Sequence, residues 1–351
     1  MAKAKKGSKG KKGSKKGKSK SVPVVPVSYI DGEGRDLTTQ LTLVKRSYSS
    51  HCHRLLALPD LEFVSQLNQS ISSNSPLLTL VINSPLYTEG TEAVFNALSH
   101  WSFLENVCMI KTLMSDNGLL YLAGYLASNR SILKLDLTSN HLSLAACESL
   151  GTSLNGHNST LKELILDHNP IGDHGVCSLV HHLRWNPTLK ILSLKYCNIG
   201  TVGSVLIGRD LLGEHSSSVL EKINLQGNIV DLPGLLAIGD GLQYNKTLTT
   251  LIISDCLTGD DVSVFESFCN GAMMCESLTH LDMSGTDVSA NNAAPFANLA
   301  AMKKNLTRLL LPYRVGKDLL KTISESISAN ITACAPKKSK GKKKGGKKKK
   351  K

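Results

Sequence analysis

Residues 132–142 read Ile-Leu-Lys-Leu-Asp-Leu-Thr-Ser-Asn-His-Leu, a frame in which Ile132, Leu135, Leu137, Asn140 and Leu142 hold fixed offsets. The same offsets return at Leu161, Leu164, Leu166, Asn169 and Ile171, then at Leu189, Leu192, Leu194, Cys197 and Ile199. They recur at Leu220, Ile223, Leu225, Asn228 and Val230, and at Leu248, Leu251, Ile253 and Cys256, with weaker copies starting at Leu77, Leu104, Leu278 and Leu306. That gives nine units whose starts lie 27 to 31 residues apart. Both a period and an internal pattern repeat, which chance does not produce nine times over.

Within one unit the alternation at Leu164 and Leu166 predicts a short strand with its leucines turned inward and the residues between them turned outward. The Asn or Cys that follows stands at the turn out of the strand, where a buried amide can satisfy neighbouring loop backbone, and successive copies predict a ladder. Apolar spacing then changes to helical: Val176, Leu179, Val180 and Leu183 fall on one face, with Asp173 placed as N-cap and Asn186-Pro187 as the stop. A lone strand and helix cannot bury both faces, so the units must stack. The expected fold is α/β: a right-handed solenoid, or horseshoe, with parallel strands on the concave face and helices on the convex face.

The stretch from Ile171 to Leu189, IGDHGVCSLVHHLRWNPTL, resembles the ribonuclease-inhibitor type of leucine-rich repeat, and the resemblance covers residues 77–333. It implies a shared fold. That superfamily includes inhibitors, Ran GTPase-activating proteins, innate sensors and proteins of the flagellar axoneme, so function has to be argued from the site.

The four expected segments are a Lys-rich disordered tail at 1–22, an N-terminal cap at 23–76, the solenoid with its C-terminal cap helix at 77–335, and a second Lys-rich disordered tail at 336–351. In the cap, Val27–Ile30 and Leu37–Val44 flank Asp31-Gly32-Glu33-Gly34 and predict a hairpin, followed by a helix over 58–73 that turns Leu61, Val64, Leu67 and Ile71 to one face. Pro23 and Pro26 mark a stiff arm between tail and cap. Leu319, Leu320, Ile323 and Ile327 predict the closing helix.

Charge divides along the same lines. The chain carries +13, but residues 1–20 hold ten Lys and residues 337–351 hold eleven, with no acid in either; the remainder carries −8. A basic nucleic-acid platform would spread its cations over the folded part, and here they sit in the tails. Apolar runs are too short for a membrane span, the N-terminus lacks a secretory pattern, and nine scattered Cys fit a reducing compartment, so an intracellular protein is expected.

Chemical motifs are sparse. Gly13–Ser19, GSKKGKS, has three residues where a phosphate loop needs four. His51-Cys52-His53 lacks a second pair at zinc spacing, Cys269 is expected on a buried face with Val262 and Phe265, and His181-His182 on an exposed helix surface. Asn-x-Ser/Thr occurs at Asn68, Asn129, Asn158, Asn245, Asn305 and Asn330; most of these fall at helix ends, where Asn is expected as a left-handed cap. No catalytic, cofactor or metal site and no small-molecule substrate is expected, so the chain reads as a non-enzyme.

Binding is therefore the expectation. The outward residues form one column from Val81 through Cys108, Asp136, Ile165, Ser193, Asn224, Ile252 and Asp282 to Leu310, with two further columns beside it. Asp136, Asp167, His168, Lys195, Tyr196 and Asp255 would make a polar patch with an aromatic anchor for a protein partner. Twenty-one tail Lys, among them Lys11, Lys12, Lys15, Lys16, Lys342, Lys343, Lys344 and Lys348, come without Arg or aromatics. They would attract a polyanion by charge alone: acidic tubulin tails or RNA, with an anionic membrane surface the third candidate. In composition the Lys-Lys-Gly tails resemble those of flagellar axoneme proteins, which implies a cytoplasmic scaffold on the microtubules of a cilium. A nucleolar or ribosome-associated RNA adaptor in the nucleus and a small-GTPase regulator are the rival readings.

Overall fold

The computed structural model describes residues 31, 33–154 and 160–334. Nine short strands, β1 Thr79–Ile82, β2 Asn106–Met109, β3 Lys134–Asp136, β4 Glu163–Ile165, β5 Ile191–Ser193, β6 Lys222–Asn224, β7 Thr250–Ile252, β8 His280–Asp282 and β9 Arg308–Leu310, form one parallel sheet in sequence order. Two helices precede it, α1 Leu37–Leu55 and α2 Leu61–Ser73. Each strand is then followed by a helix: α3 Tyr87–Ala97, α4 Ser115–Ser128, α5 Leu144–Ser153, α6 Gly172–Leu183, α7 Thr201–Leu206, α8 Leu232–Leu242, α9 Val262–Met274, α10 Ala294–Met302 and α11 Lys317–Cys334.

The frame read from residues 132–142 sets the packing. Leu80, Val107, Leu135, Leu164, Leu192, Ile223, Leu251, Leu281 and Leu309 stand in register across the sheet and all are buried. They belong to one apolar core that runs from Leu37 to Ile323. Each unit's inward leucines therefore rest on those of the next, and burial is continuous along the stack. The largest spacing, from Leu189 to Leu220, is taken up where α7 passes into a π-helical turn, Ile207–Leu211, the usual way a helix absorbs extra residues.

The Asn ladder is present. Asn169 Oδ1 accepts from the backbone N–H of Asn140 (2.8 Å) and Leu142 (3.1 Å), while its Nδ2 donates to the carbonyls of Leu137 (3.0 Å) and Leu166 (2.9 Å). Asn228 repeats the arrangement toward Cys197, Ile199, Leu194 and Leu225. At Cys197 and Cys256 a thiol donates to the carbonyl one unit back, Leu166 and Leu225, at 3.2 Å each.

Four local expectations need correction. Leu37–Val44 is not a hairpin strand: it opens the helix α1, capped by Asp36, whose carboxylate accepts from Thr39 N–H. Leu37, Leu41, Val44, Tyr48 and Cys52 are the residues α1 buries, a helical spacing. The other arm of that expected hairpin, Val27–Ile30, lies outside the described residues. The buried face of α2 is Phe63, Leu67 and Ser70, and Leu61 is 82% exposed. Asp173 lies inside α6 and serves the next unit instead, accepting from Gly200 N–H (2.6 Å) and Gly203 N–H (3.0 Å) at the start of α7. Asp116 accepts from Ser143 N–H (2.8 Å) at the N-cap of α5 and Asp260 from Ser289 N–H (3.0 Å) in the loop before α10, so carboxylates of one unit also tie down the next. The Asn of the Asn-x-Ser/Thr sites does not adopt the left-handed cap: Asn129 has φ −87°, and its Oδ1 accepts from Ser131 and Ile132 N–H, as Asn245 does from Thr247 and Leu248. A side-chain bridge closes that turn. Asn158 lies outside the described residues.

Both ends of the stack are closed by side chains. Gln66 of α2 accepts from Val81 N–H (2.9 Å) and donates to Val81 C=O (2.5 Å), pairing the outer edge of β1. Tyr48 meets Phe63 edge-on at 4.8 Å and accepts from Asp60 N–H (2.8 Å), joining α1 to α2. At the other end buried Asn330 donates to the carbonyls of Ala300, Lys303 and Leu306, which binds α11 to the last unit. Among the described residues no helix is long and apolar enough to cross a membrane.

Candidate functional site

Strand register fixes the concave columns. Val81, Cys108, Asp136, Ile165, Ser193, Asn224, Ile252, Asp282 and Leu310 are consecutive partners across the sheet, the column read from the repeat. Asp136 uses Oδ1 to accept from Thr138 N–H (3.1 Å) and Oγ (2.7 Å), leaving it half-buried at the floor of the face.

Two residues expected to face a partner are tied to each other. Asp167 is buried; its Oδ1 accepts from Ser193 Oγ (2.6 Å) and Lys195 N–H (3.0 Å), and its Oδ2 lies 3.5 Å from Lys195 Nζ. Its carboxylate thus sets the neighbouring strand end rather than standing free for a partner. Asp255 is exposed and accepts from Gln226 Nε2 at 2.8 Å, a partner residue that reading the columns singly does not pick out.

His168 and Tyr196 stand side by side in the third column. Their rings stack at 4.8 Å with an interplanar angle of 14°, and both are exposed. The column's backbone is left-handed in seven successive units: Lys111, Ser139, His168, Tyr196, Gly227, Asp255 and Gly285 have φ from 50° to 73°. Such a φ suits glycine and strains a bulky residue. Glycine occurs where a neighbour needs the room. A Cβ on Gly227 would meet the Tyr196 ring at 2.1 Å, and one on Gly285 would meet the Asp255 carboxylate at 2.0 Å. Each side chain leans onto the following unit, so Tyr196 is held between the His168 ring and the Gly227 backbone. We expect Gly227→Ala to lift Tyr196 and abolish the ring-current shift between the two rings in NMR spectra, at about 1–2 kcal/mol of stability.

The remaining candidates fall elsewhere. Cys52 and Cys269 are buried, with thiols pushed up by burial, as Phe265 is buried beside Cys269; Val262, expected on that face, is exposed. His181 is exposed and His182 half-buried, its ring held below the ordinary histidine range by burial. The tail lysines, the GSKKGKS run and the Pro23/Pro26 arm lie outside the described residues.

A family model described as Leucine Rich repeat matches residues 128–151, 157–180 and 186–208. The chain is 26% identical over 276 residues to "NACHT, LRR and PYD domains-containing protein 12" of Mus musculus, covering 69% of this chain and 26% of that protein. It is 27% identical over 202 residues to "Ribonuclease inhibitor" of Sus scrofa, covering 56% of this chain and 43% of that one. Among solved structures, the tropomodulin C-terminal domain of Caenorhabditis elegans aligns with 54% of this chain and 94% of its own, at 10% identity and a TM-score of 0.34. The chain spans less than half the length of the curated relatives it matches.

Proposed function

We propose, from the premise that the chain is a leucine-rich repeat protein of the ribonuclease-inhibitor type, that it acts as a non-catalytic scaffold: the concave face docks a protein partner, and the Lys runs at both ends tether the assembly to a polyanionic lattice, the microtubules of a cilium being the first choice. The observation that carries the docking half is the His168–Tyr196 stack, two exposed rings on strained left-handed backbone beside the Asp167–Lys195 pair and the Asp255 carboxylate. A stacked, pre-positioned aromatic pair loses little side-chain entropy on binding.

Charge supports the tethering half. A body of −8 stands between runs of ten and eleven Lys, so the polyanion has to be met by the ends and not by the sheet. Ammonium groups on a chain without Arg or aromatic planes attract by field, without base readout or stacking. Acidic tubulin tails present such a target in a repeating array, and two runs on one body raise each other's effective concentration.

Co-sedimentation tests this reading. Intact protein should pellet with microtubules at about 50 mM salt and be released at least about ten-fold at about 200 mM. Removal of either the Lys runs or the acidic tails of tubulin should lower pelleting by a similar factor, and equal pelleting in all cases overturns the microtubule choice. In a ciliated cell a tagged copy should mark the cilium, whereas nucleolar staining that RNase abolishes would replace the lattice with RNA.

A further inference from the structure

A cleft of 810 Å³ runs beside the N-terminal cap between α1 and the end of α3. Its apolar lining includes Leu43, Val44, Ala97 and Trp101, and among its polar walls Gln40 donates to Arg35 C=O (2.8 Å) and Asn96 to Glu92 (3.4 Å). Leu43 is 40% exposed there, although the rest of the α1 apolar stripe is buried. Asp31, Glu33 and Arg35 line one end of the cleft, while His51 and Arg54 line the other.

The chain reverses at the first of these ends. Gly34 N–H donates to Asp31 C=O (3.0 Å) and Asp31 N–H to Arg35 C=O (3.4 Å). The Asp31 carboxylate accepts from Glu33 N–H (3.0 Å), Arg35 N–H (2.8 Å) and Arg35 Nε (2.6 Å). A turn closed by this many bonds holds Asp31 at that end of the cleft.

What precedes it has the chemistry to fill the site. Residues 22–30, Val-Pro-Val-Val-Pro-Val-Ser-Tyr-Ile, carry no charge and six large apolar side chains, and the Lys run begins only beyond them. From Gln40 to Arg54 helix α1 rises about 21 Å. About seven residues of extended, proline-stiffened chain cover that distance at about 3.1 Å each, within the nine available, and proline lowers the entropy lost on docking.

We propose that residues 22–30 of the same chain seat in the α1–α3 cleft, running antiparallel to α1, and so fix the point near His51 and Arg54 from which the N-terminal Lys run leaves the body. The arm is then part of the cap, and the tether is rooted at a defined place rather than at the end of a free linker. This inference needs neither the polyanion nor the concave partner, so it stands or falls apart from the scaffold reading.

Hydrogen exchange followed by mass spectrometry on the full chain tests it. Amides of residues 24–30 should exchange at least about ten-fold more slowly than a free chain. Leu43→Asp on the cleft wall and Tyr29→Asp on the arm should each restore the free rate, with β1 protection unchanged to show that the cap still folds. Free-chain exchange in the wild type overturns the proposal, and so does arm protection that Leu43→Asp leaves intact. Protection that appears only at high concentration together with a doubled mass assigns the cleft to a second copy's arm and overturns the intramolecular docking.

Discussion

Asn169→Ala should lower stability by about 3–4 kcal/mol, a loss read as a large drop in the urea midpoint. The side chain is 1% exposed and serves four backbone groups in two units: Asn140 and Leu142 N–H, and Leu137 and Leu166 C=O. Each buried group left without a partner costs about 1–3 kcal/mol, and local water entry recovers part of the sum. Since a domain's whole stability is about 5–15 kcal/mol, one ladder residue is a large share of it. Asn169→Cys should cost less than Asn169→Ala, because the chain already uses cysteine at 197 and 256, where a thiol reaches the carbonyl one unit back. It should still cost something, since sulfur is a weak acceptor for the two N–H groups. A midpoint order of wild type above Cys above Ala is expected; equal midpoints for Ala and wild type would mean the ladder is not what holds adjacent turns together.

The repeat made most of the architecture readable, because two constraints act at once: a period-2 strand gives the facing of each residue, and the 27- to 31-residue spacing gives its neighbour. That is why the column from Val81 to Leu310 is legible in the sequence alone. What could not be read depends on side chains reaching between units. Asp167 looks like an exposed acid from its own strand, and only Ser193 and Lys195 on the next one account for its burial. Asp173 looks like a cap for α6, but it serves helix α7 through Gly200 and Gly203. In the N-terminal cap two sequence signals compete. Thr38, Thr39 and Thr42 favour a strand by type, yet Leu37, Leu41, Val44 and Tyr48 recur at helical spacing behind Asp36, and burial of that stripe outweighed propensity. The aromatic stack was legible as adjacency of His168 and Tyr196, but not the glycine at 227 that makes room for it.

The same substitution should have opposite signs at two helix positions. In α9, a Cβ placed on Gly271 would lie 1.9 Å from Gly239 C=O oxygen and 2.6 Å from its carbon, so α8 and α9 touch backbone to backbone there. Gly239 in turn would meet Phe268 Cα at 2.7 Å, and a Cβ on Gly208, in the π-helical turn, would meet the Ala237 backbone at 2.3 Å. Three consecutive convex helices are thus held at a separation only glycine permits, and no rotamer change can relieve a clash with backbone. Gly271→Ala gains about 1 kcal/mol of helix propensity, yet it must push α8 from α9 across several buried contacts, for which overpacking costs of about 1–3 kcal/mol are a lower guide. The net expectation is a loss of about 2 kcal/mol or more. In α4, Gly124 is exposed and has no atom within 4 Å of the built Cβ, so Gly124→Ala should collect the propensity alone and stabilise by up to about 1 kcal/mol. Thermal midpoints of the two variants on either side of the wild type would confirm that helix separation, set by glycine on the convex side, governs how closely these units stack. Stabilisation by Gly271→Ala would show that α8 and α9 can part freely, and the close approach would then contribute nothing to the curvature of the sheet that presents His168 and Tyr196.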